Sequence, residues 1–482
     1  MSEIQVIPAI ILLVYAVITI GAANIVLKKK LGSDHFLVAA RALPLALVVA
    51  IVLGDMVGGA STVGVTQRGF NFGIMSSLYS VSLGLAFFAV ASTMSARFRR
   101  LHAITIPEVI GRLFDAKTRM TAAIVIGFAY FFIGITQIMA GGALLSPLLG
   151  IDIIYAEGIA ALIFTLIIIG GGLKSIALVN IIQVVVIFTG MIVALVASLT
   201  LLGGSVAGGF ARIRTELPAE YWSLTGGKNP LTISGEILGT VFTFFAAQAA
   251  ITGLFAAKDT KTAVRGTWIA GFLIMPIGLC FALLGMCAKL HFGDTLPFGL
   301  SAAPAMMLAH SPIVASIALC GLFAAIMSTG PLNFLAPIQI FIRDIYTVYI
   351  NKDASDKKLM FLNRVLAICL LIAGWGVAVT LQEILQVTYW AFAFRAGIAV
   401  ILLAVTYLGS RFVSEDGAFG GLIAGVIMFA IWELIGTPFG IHVSIPSLLT
   451  VLIATLIISK IRKRRNELSP EIIEALHPTK SE

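Results

Sequence analysis

Two adjacent hydroxyls stand in the apolar run Ala324-Ala325-Ile326-Met327-Ser328-Thr329-Gly330-Pro331, and a Gly-Pro pair follows them at once. Pro331 has no N–H to give to a helical ladder, so the spacing predicts a break with a freed carbonyl beside two hydroxyls at membrane depth. Unpaired polar groups in hydrocarbon are costly unless something binds them, and a bare monovalent cation suits such a cluster of oxygens. Ser and Thr also bond back to a carbonyl one turn earlier, which needs no ligand. A second interrupted stretch, Leu53-Gly54-Asp55-Met56-Val57-Gly58-Gly59, lies near the other end of the chain. Unwinding at Gly58 and Gly59 would turn carbonyls toward a cation and helix-terminal N–H groups toward an anion. Ser61 and Thr62 follow, and such small residues equally suit close helix packing. Two interrupted hydrophobic helices are the sequence pattern of a secondary transporter's binding site.

Two ionisable residues, Asp55 and Arg395, fall near the middle of apolar runs. Charges there are expensive and functional by default. Asp55 suits a cation or a substrate amine; Arg395 suits a carboxylate held by two parallel bonds. A structural Asp–Arg pair joining two helices is the alternative. Gln137, Thr243, Gln248, Asn333 and Gln386 read as interhelical hydrogen bonds, with Gln137 and Gln248 also candidates for substrate contact or gating. Asn180 and Gln183 share one helix face. The six histidines and four cysteines show no metal-ligand or disulfide spacing.

The elements that must carry these residues are membrane helices. The chain has 482 residues, 59% hydrophobic and only 11% charged, with a mean hydropathy of +1.05. Soluble domains carry about 25% charged residues. Apolar runs long enough to span fall roughly at 5–27, 44–66, 71–94, 119–147, 153–171, 176–203, 234–256, 267–288, 311–340, 361–381, 385–408, 417–437 and 444–460, which predicts about thirteen transmembrane helices. With the N-terminus outside, 26 of the 32 Lys and Arg residues fall in inside loops and the tail, five fall outside, and Arg395 lies within a span. That bias predicts an external N-terminus and a cytoplasmic C-terminus in the inner (plasma) membrane. It also removes the nucleic-acid reading of the net charge of +9. No phosphate loop of the form GxxxxGK[ST] occurs, which argues against an ATP-driven pump. No nucleophile, cofactor motif or obligatory protein partner is evident, so an enzyme is the least favoured class.

Several pieces, in this order and spacing, resemble the sodium/solute symporter family, which includes bacterial proline, sialic acid and galactose carriers. They are Phe36-Leu37-Val38-Ala39-Ala40-Arg41, Thr105-Ile106-Pro107-Glu108, Gly171-Gly172-Leu173-Lys174-Ser175 followed by Asn180-Ile181-Ile182-Gln183, Ala256-Ala257-Lys258-Asp259, and Ala324 to Thr329 followed by Arg343-Asp344-Ile345-Tyr346. The resemblance runs from about Asp34 to Arg465. It implies an all-α polytopic protein with a LeuT-like inverted-repeat core of five plus five helices. The implied organisation is a single transporter domain over 1–466, with an extra helix and loop at 5–43, the core at 44–410 and two further helices at 411–466. A cytoplasmic tail at 467–482 follows. The family's shared sodium site, carried over, uses the carbonyls of Leu53, Met56 and Ala325 and the hydroxyls of Ser328 and Thr329. Asp55 matches an aspartate that the proline carriers have beside it.

The chain departs from the family in places. Ser328-Thr329-Gly330-Pro331-Leu332 replaces the common Ser-Thr-Ala-Asp-Ser, and Asn180 stands where members with a second sodium have Asp, so one sodium per cycle is expected. The expected function is sodium-coupled import of a small organic solute by alternating access. A carboxylate or amino acid is favoured, and no organic cofactor is needed. Proton-coupled or uncoupled transport and a transporter-like sensor are the alternatives.

Overall fold

The computed structural model describes residues 3–25, 41–170, 173–297, 300–465 and 467–477. Two quoted family pieces, residues 36–40 and 171–172, lie outside the described residues. In chain order the long helices are α1 (Glu3–Ile25), α2 (Leu45–Met56), α3 (Val65–Phe72), α4 (Leu78–Thr93), α5 (Ile106–Leu113), α6 (Ala116–Leu149), α7 (Ile153–Gly170) and α8 (Leu173–Gly203). They continue as α9 (Pro230–Thr243), α10 (Gln248–Ala256), α11 (Thr260–Phe292), α12 (Pro312–Ile340), α13 (Asp356–Ala378), α14 (Ile384–Tyr407), α15 (Glu415–Leu434) and α16 (Ser444–Ile461).

Nine helices among the described residues are long and apolar enough to cross a membrane, or ten if α9 and α10 count as one bent span. This is fewer than the thirteen expected. Val6–Thr19, Leu45–Met56 and Ile153–Ile169 are shorter apolar helices that the count omits. Local chemistry fixes many of the ends. Asp115 caps the first turn of α6 through Thr118 N–H at 2.8 Å, and Asp259 caps α11 through Thr262 N–H at 2.6 Å. Gly150 closes α6 at φ +63°, a left-handed conformation that glycine adopts without strain.

Burial separates centre from rim. In α12 and α14, 83% of the apolar window is inside the protein, against 17% in α13 and 28% in α15. The first pair therefore forms the core, and the second pair shows most of its surface to lipid. Around that core α12 packs on α6 and α8, α14 on α6 and α9, and α11 on α2, α3 and α4. Glycines allow the tightest crossings. A Cβ on Gly321 of α12 would lie 2.8 Å from Gly190 Cα of α8, and one on Gly285 of α11 would lie 2.2 Å from the Thr66 carbonyl oxygen of α3.

Two membrane-depth interruptions organise the site. The first follows α2: Val57 has φ −92° and ψ 82°, and the helix resumes as a π-type turn at Ala60–Gly64. The second separates α9 from α10 at Phe244–Ala247, where the chain bends by 43°. The break expected at Gly330-Pro331 does not occur. α12 runs without interruption from Pro312 to Ile340 and meets a π-type stretch only at Phe341–Ile350. The N–H groups that Pro331 and Pro337 lack are tolerated because α12 is enclosed by neighbouring helices.

Candidate functional site

The sequence Val57-Gly58-Gly59 leaves the end of α2 with carbonyls that no helical N–H covers. α12 brings two hydroxyls against them. Thr329 Oγ1 donates to the Gly54 carbonyl at 2.7 Å or the Val57 carbonyl at 2.9 Å. Ser328 Oγ lies 2.9 Å from the Ala325 carbonyl and 3.5 Å from that of Val57. Ser328 and Thr329 thus meet the α2 break, but the carbonyls they reach are those of Gly54 and Val57, each one position beyond Leu53 and Met56. The Leu53 carbonyl accepts from Val57 N–H at 2.8 Å. On the far side of α2, Asn180 of α8 presses on Gly54, where a Cβ would sit 2.2 Å from its Nδ2.

Next to this junction is a small enclosed chamber of about 10 Å³, room for roughly one water. Asp55, Met56, Gly58, Gln137, Thr329 and Arg395 all line it. Gln137 Oε1 accepts from Gly59 N–H at 2.6 Å and so holds the first break to α6. Ser61 and Thr62 bond back to the Gly58 carbonyl, at 3.0 and 2.8 Å, and do not line the chamber. Gly59 is packed so closely on α6 that a Cβ would meet Ala140 at 2.2 Å.

Asp55 and Arg395 share the chamber without pairing. Asp55 Oδ2 accepts from Ala250 N–H at 3.0 Å and from the Tyr130 hydroxyl at 3.3 Å, while Oδ1 has no hydrogen-bond partner among the described residues. Tyr130 in turn accepts from Ala249 N–H at 2.9 Å. These N–H groups belong to the first turn of α10, whose own N-cap, Ala247, has no side chain to offer. Asp55 and Tyr130 supply that cap from two other helices. Arg395 Nε donates to Thr243 Oγ1 at 2.6 Å, and the guanidinium lies 4.6 Å from the Tyr130 ring centre and 5.4 Å from that of Phe392. Both terminal nitrogens have no hydrogen-bond partner among the described residues.

Above the chamber three buried aromatics form a layer. Tyr79 stacks on Phe392 at 6.1 Å and meets Tyr389 edge-on at 5.7 Å. Tyr389 lies on the floor of a vestibule of about 970 Å³. There Arg68 bonds both oxygens of Glu236, at 2.7 and 2.8 Å, and lies over the Tyr389 ring at 5.4 Å. His442, from the loop between α15 and α16, stands edge-on to Tyr389 at 6.1 Å. Burial, with the Arg68 guanidinium nearby, pushes its pKa down to about 4.

Away from the chamber, α5 is tied to three neighbouring segments. Thr105 caps α5 through Glu108 N–H at 3.1 Å and donates to Asp344 Oδ1 at 3.1 Å, which Arg119 also holds at 2.6 Å. Gln248, on α10, accepts from Ile106 N–H at 2.7 Å and donates to the Ile104 carbonyl at 3.2 Å. Gln248 therefore ties α10 to α5 and does not line the chamber. Tyr79, Tyr130, Asn333 and Phe392 line the chamber and were not among the predicted site residues. Asn333 had a usable signal, lying one helical turn after Thr329, and Phe392 lies three residues before Arg395. Tyr130 had none.

The chain matches the family described as Sodium:solute symporter family over residues 36–425. It is 24% identical to the sodium/glucose cotransporter of Vibrio parahaemolyticus, covering 86% of this chain and 82% of that protein. It is also 24% identical to the sodium/pantothenate symporter of Haemophilus influenzae, covering 96% and 98%. With the high-affinity proline transporter PutP of Bacillus subtilis the identity is 26%, over 74% and 76%. Among solved structures it is similar to a Na+-coupled sialic acid symporter in a substrate-bound outward-open state, with a TM-score of 0.80 at 16% identity, covering 94% of this chain and 98% of that one. A nucleobase-cation-symport-1 family transporter gives a TM-score of 0.62 at 15% identity, over 92% and 99%. These likenesses establish an all-helical, LeuT-like transporter fold. The chain is a multi-pass membrane protein and belongs to the sodium:solute symporter family.

Proposed function

We propose that this protein is a sodium-coupled symporter of the inner membrane that imports a small organic solute, with a carboxylate or an amino acid favoured by Arg395 and Asp55. The observation that carries the reading is the junction of α2 and α12, where the Ser328 and Thr329 hydroxyls meet the Gly54 and Val57 carbonyls. Unwound carbonyls and hydroxyls on two separate helices make a sodium site that exists only while those helices are together. Leu53, Met56, Ala325, Ser328 and Thr329 are its proposed ligands, with the Gly54 and Val57 carbonyls as neighbours. Sodium there favours the state with the vestibule open and the α5 end closed, and its differential affinity for the two states supplies the coupling. The vestibule faces outside and the basic loops face the cytoplasm. Sodium and the solute are the transported partners, and the reading needs no catalysis or organic cofactor.

The first test is a thermal melt of the detergent-purified protein in sodium chloride and in potassium chloride. Sodium should raise the melting temperature in a saturable way, and Thr329→Ala should shift the half-saturating concentration upward. Identical melts in the two salts would sink the assignment. A proton-coupled mechanism is favoured by one observation, the unpartnered Oδ1 of buried Asp55. It predicts uptake into proteoliposomes that follows an imposed pH gradient and ignores sodium.

A further inference from the structure

We infer that the solute of this chamber is a short monocarboxylate held by Arg395, with Asn333 as its second contact. The inference rests on the chamber being the solute site of the proposed symporter. Arg395 is fully buried, its Nε is committed to Thr243, and aromatic rings flank its plane. Neither terminal nitrogen has a hydrogen-bond acceptor among the described residues, and the flat guanidinium fork lines the chamber. Such a fork matches the two oxygens of a carboxylate. Buried donors left without acceptors are costly, and an anion bound there removes that cost.

Asp55 does not complete an amino-acid site in the usual sense. One of its oxygens caps α10 through Ala250 N–H and the Tyr130 hydroxyl, so its charge is already set against the positive end of that helix. Charge counting then separates the solute classes. Asp55 and Arg395 cancel, and one sodium leaves the closed site with a single positive charge. A monoanion brings that to zero. A zwitterion or a neutral sugar leaves it uncompensated in a low-dielectric chamber.

Asn333 adds the second contact. It is 1% exposed, neither its Oδ1 nor its Nδ2 has a partner among the described residues, and it lines the same chamber. Its amide can donate to the carboxylate and accept from a hydroxyl on the next carbon. It lies one turn from Thr329, so solute and sodium would grip the same segment of α12. Size points the same way. A chamber of about 10 Å³ walled by Tyr79, Ile133 and Phe392 must widen for any solute, and least for one of two or three carbons.

The test uses the full-length purified protein and thermal shift in sodium and in potassium. Acetate, propionate and lactate are compared with glycine, alanine and ethylammonium. A short monocarboxylate should stabilise only in sodium, at a concentration at least about ten-fold below that of its amino analogue. Arg395→Lys keeps the charge and loses the fork; Asn333→Asp sets a like charge against the solute. Each should weaken carboxylate binding about ten-fold or more, while sodium alone still stabilises both variants. If Arg395→Lys does not fold, Asn333→Asp and Asn333→Ala carry the comparison. Amino acids binding in place of carboxylates, or no panel member binding although sodium stabilises, would overturn the inference and leave the sodium reading standing. No response to sodium in the parent protein would remove both.

Discussion

Thr329 places one hydroxyl within reach of two carbonyls of the α2 break. Thr329→Val keeps the shape and takes the one hydroxyl proton away from the two carbonyls, so one buried acceptor loses its donor at about 1–3 kcal/mol. The sodium concentration for half-maximal stabilisation should rise about ten-fold or more, while Thr329→Ser stays near the parent. Ser328 is closer to its own helix, at 2.9 Å, than to Val57, at 3.5 Å. Ser328→Ala should therefore cost less than Thr329→Val, and a sodium titration of melting temperature reads that ranking. His442 makes a separate prediction. Its pKa is lowered from the usual 6.5 to about 4 by burial and Arg68. The unfolded chain then binds the extra proton first, so the contribution is fully present above about 6.5 and is lost as pH falls toward 4. The groups facing it are Arg68, Glu236 through Arg68, Tyr389 and Ser444. Melting temperature should fall over that window in the parent and fall less in His442→Gln.

At the scale of elements, the bonds that hold α5 predict that it acts as a latch. It is tied to α10 through Gln248 and to α6 and the end of the α12 span through Thr105, Asp344 and Arg119. Gln248→Ala removes its bonds to Ile104, Ile106 and Thr252, and should free α10 to swing from α5. A cysteine placed at Met56, in a background lacking the native cysteines, should then react faster with a thiol reagent supplied from the α5 side. Equal rates with and without Gln248→Ala would dismiss the latch. The α3–α11 crossing gives a packing prediction. A methyl at Gly285 would lie 2.2 Å from a backbone oxygen, which cannot turn away as a side chain can. Gly285→Ala should destabilise by about 1–3 kcal/mol, typical of overpacking, and lower the melting temperature.

For the whole molecule, a rigid rim and a divided centre follow from where the apolar surface goes. α1, α13 and α15 show large side chains outward, such as Leu13 at 65% and Phe361 at 66% exposure, as lipid contact requires. α12 and α14 are enclosed, so the polar groups they carry face protein and the chamber. The bias of Lys and Arg toward one set of loops predicts orientation. A cysteine at Lys352 should react with a membrane-impermeant thiol reagent only from the cytoplasmic side, and one at Glu220 only from outside. The reverse pattern would invert the proposed direction of the vestibule. One sodium carried with one monoanion moves no net charge, so uptake of a short monocarboxylate should not change with an inside-negative potential imposed on proteoliposomes. A zwitterion or neutral solute carried with one sodium would instead gain about 2.3 kcal/mol per charge per 100 mV, and its uptake would rise.

The chain itself determined the apolar surroundings, the all-helical class and the place where α2 breaks. Apolar runs with few charges can only be membrane helices, and a glycine pair at 58–59 cannot hold a regular helix against nearby hydroxyls, so the first break and the Ser328–Thr329 pair were both readable. Pro331 misled, because a missing N–H weakens a helix but enclosure by α6, α7 and α8 keeps α12 continuous. The break at Phe244–Ala247 was not readable, since Thr243-Phe244-Phe245-Ala246-Ala247 holds neither Gly nor Pro. It exists because Asp55 and Tyr130, far away in sequence, cap the N–H groups it exposes. Tertiary structure likewise decided that Asp55 and Arg395 do not form an ion pair, that Gln248 binds α5, and that Asn333 lines the chamber with no partner among the described residues. Each of these depends on which helix faces which, a relation that hydrophobic period alone does not contain.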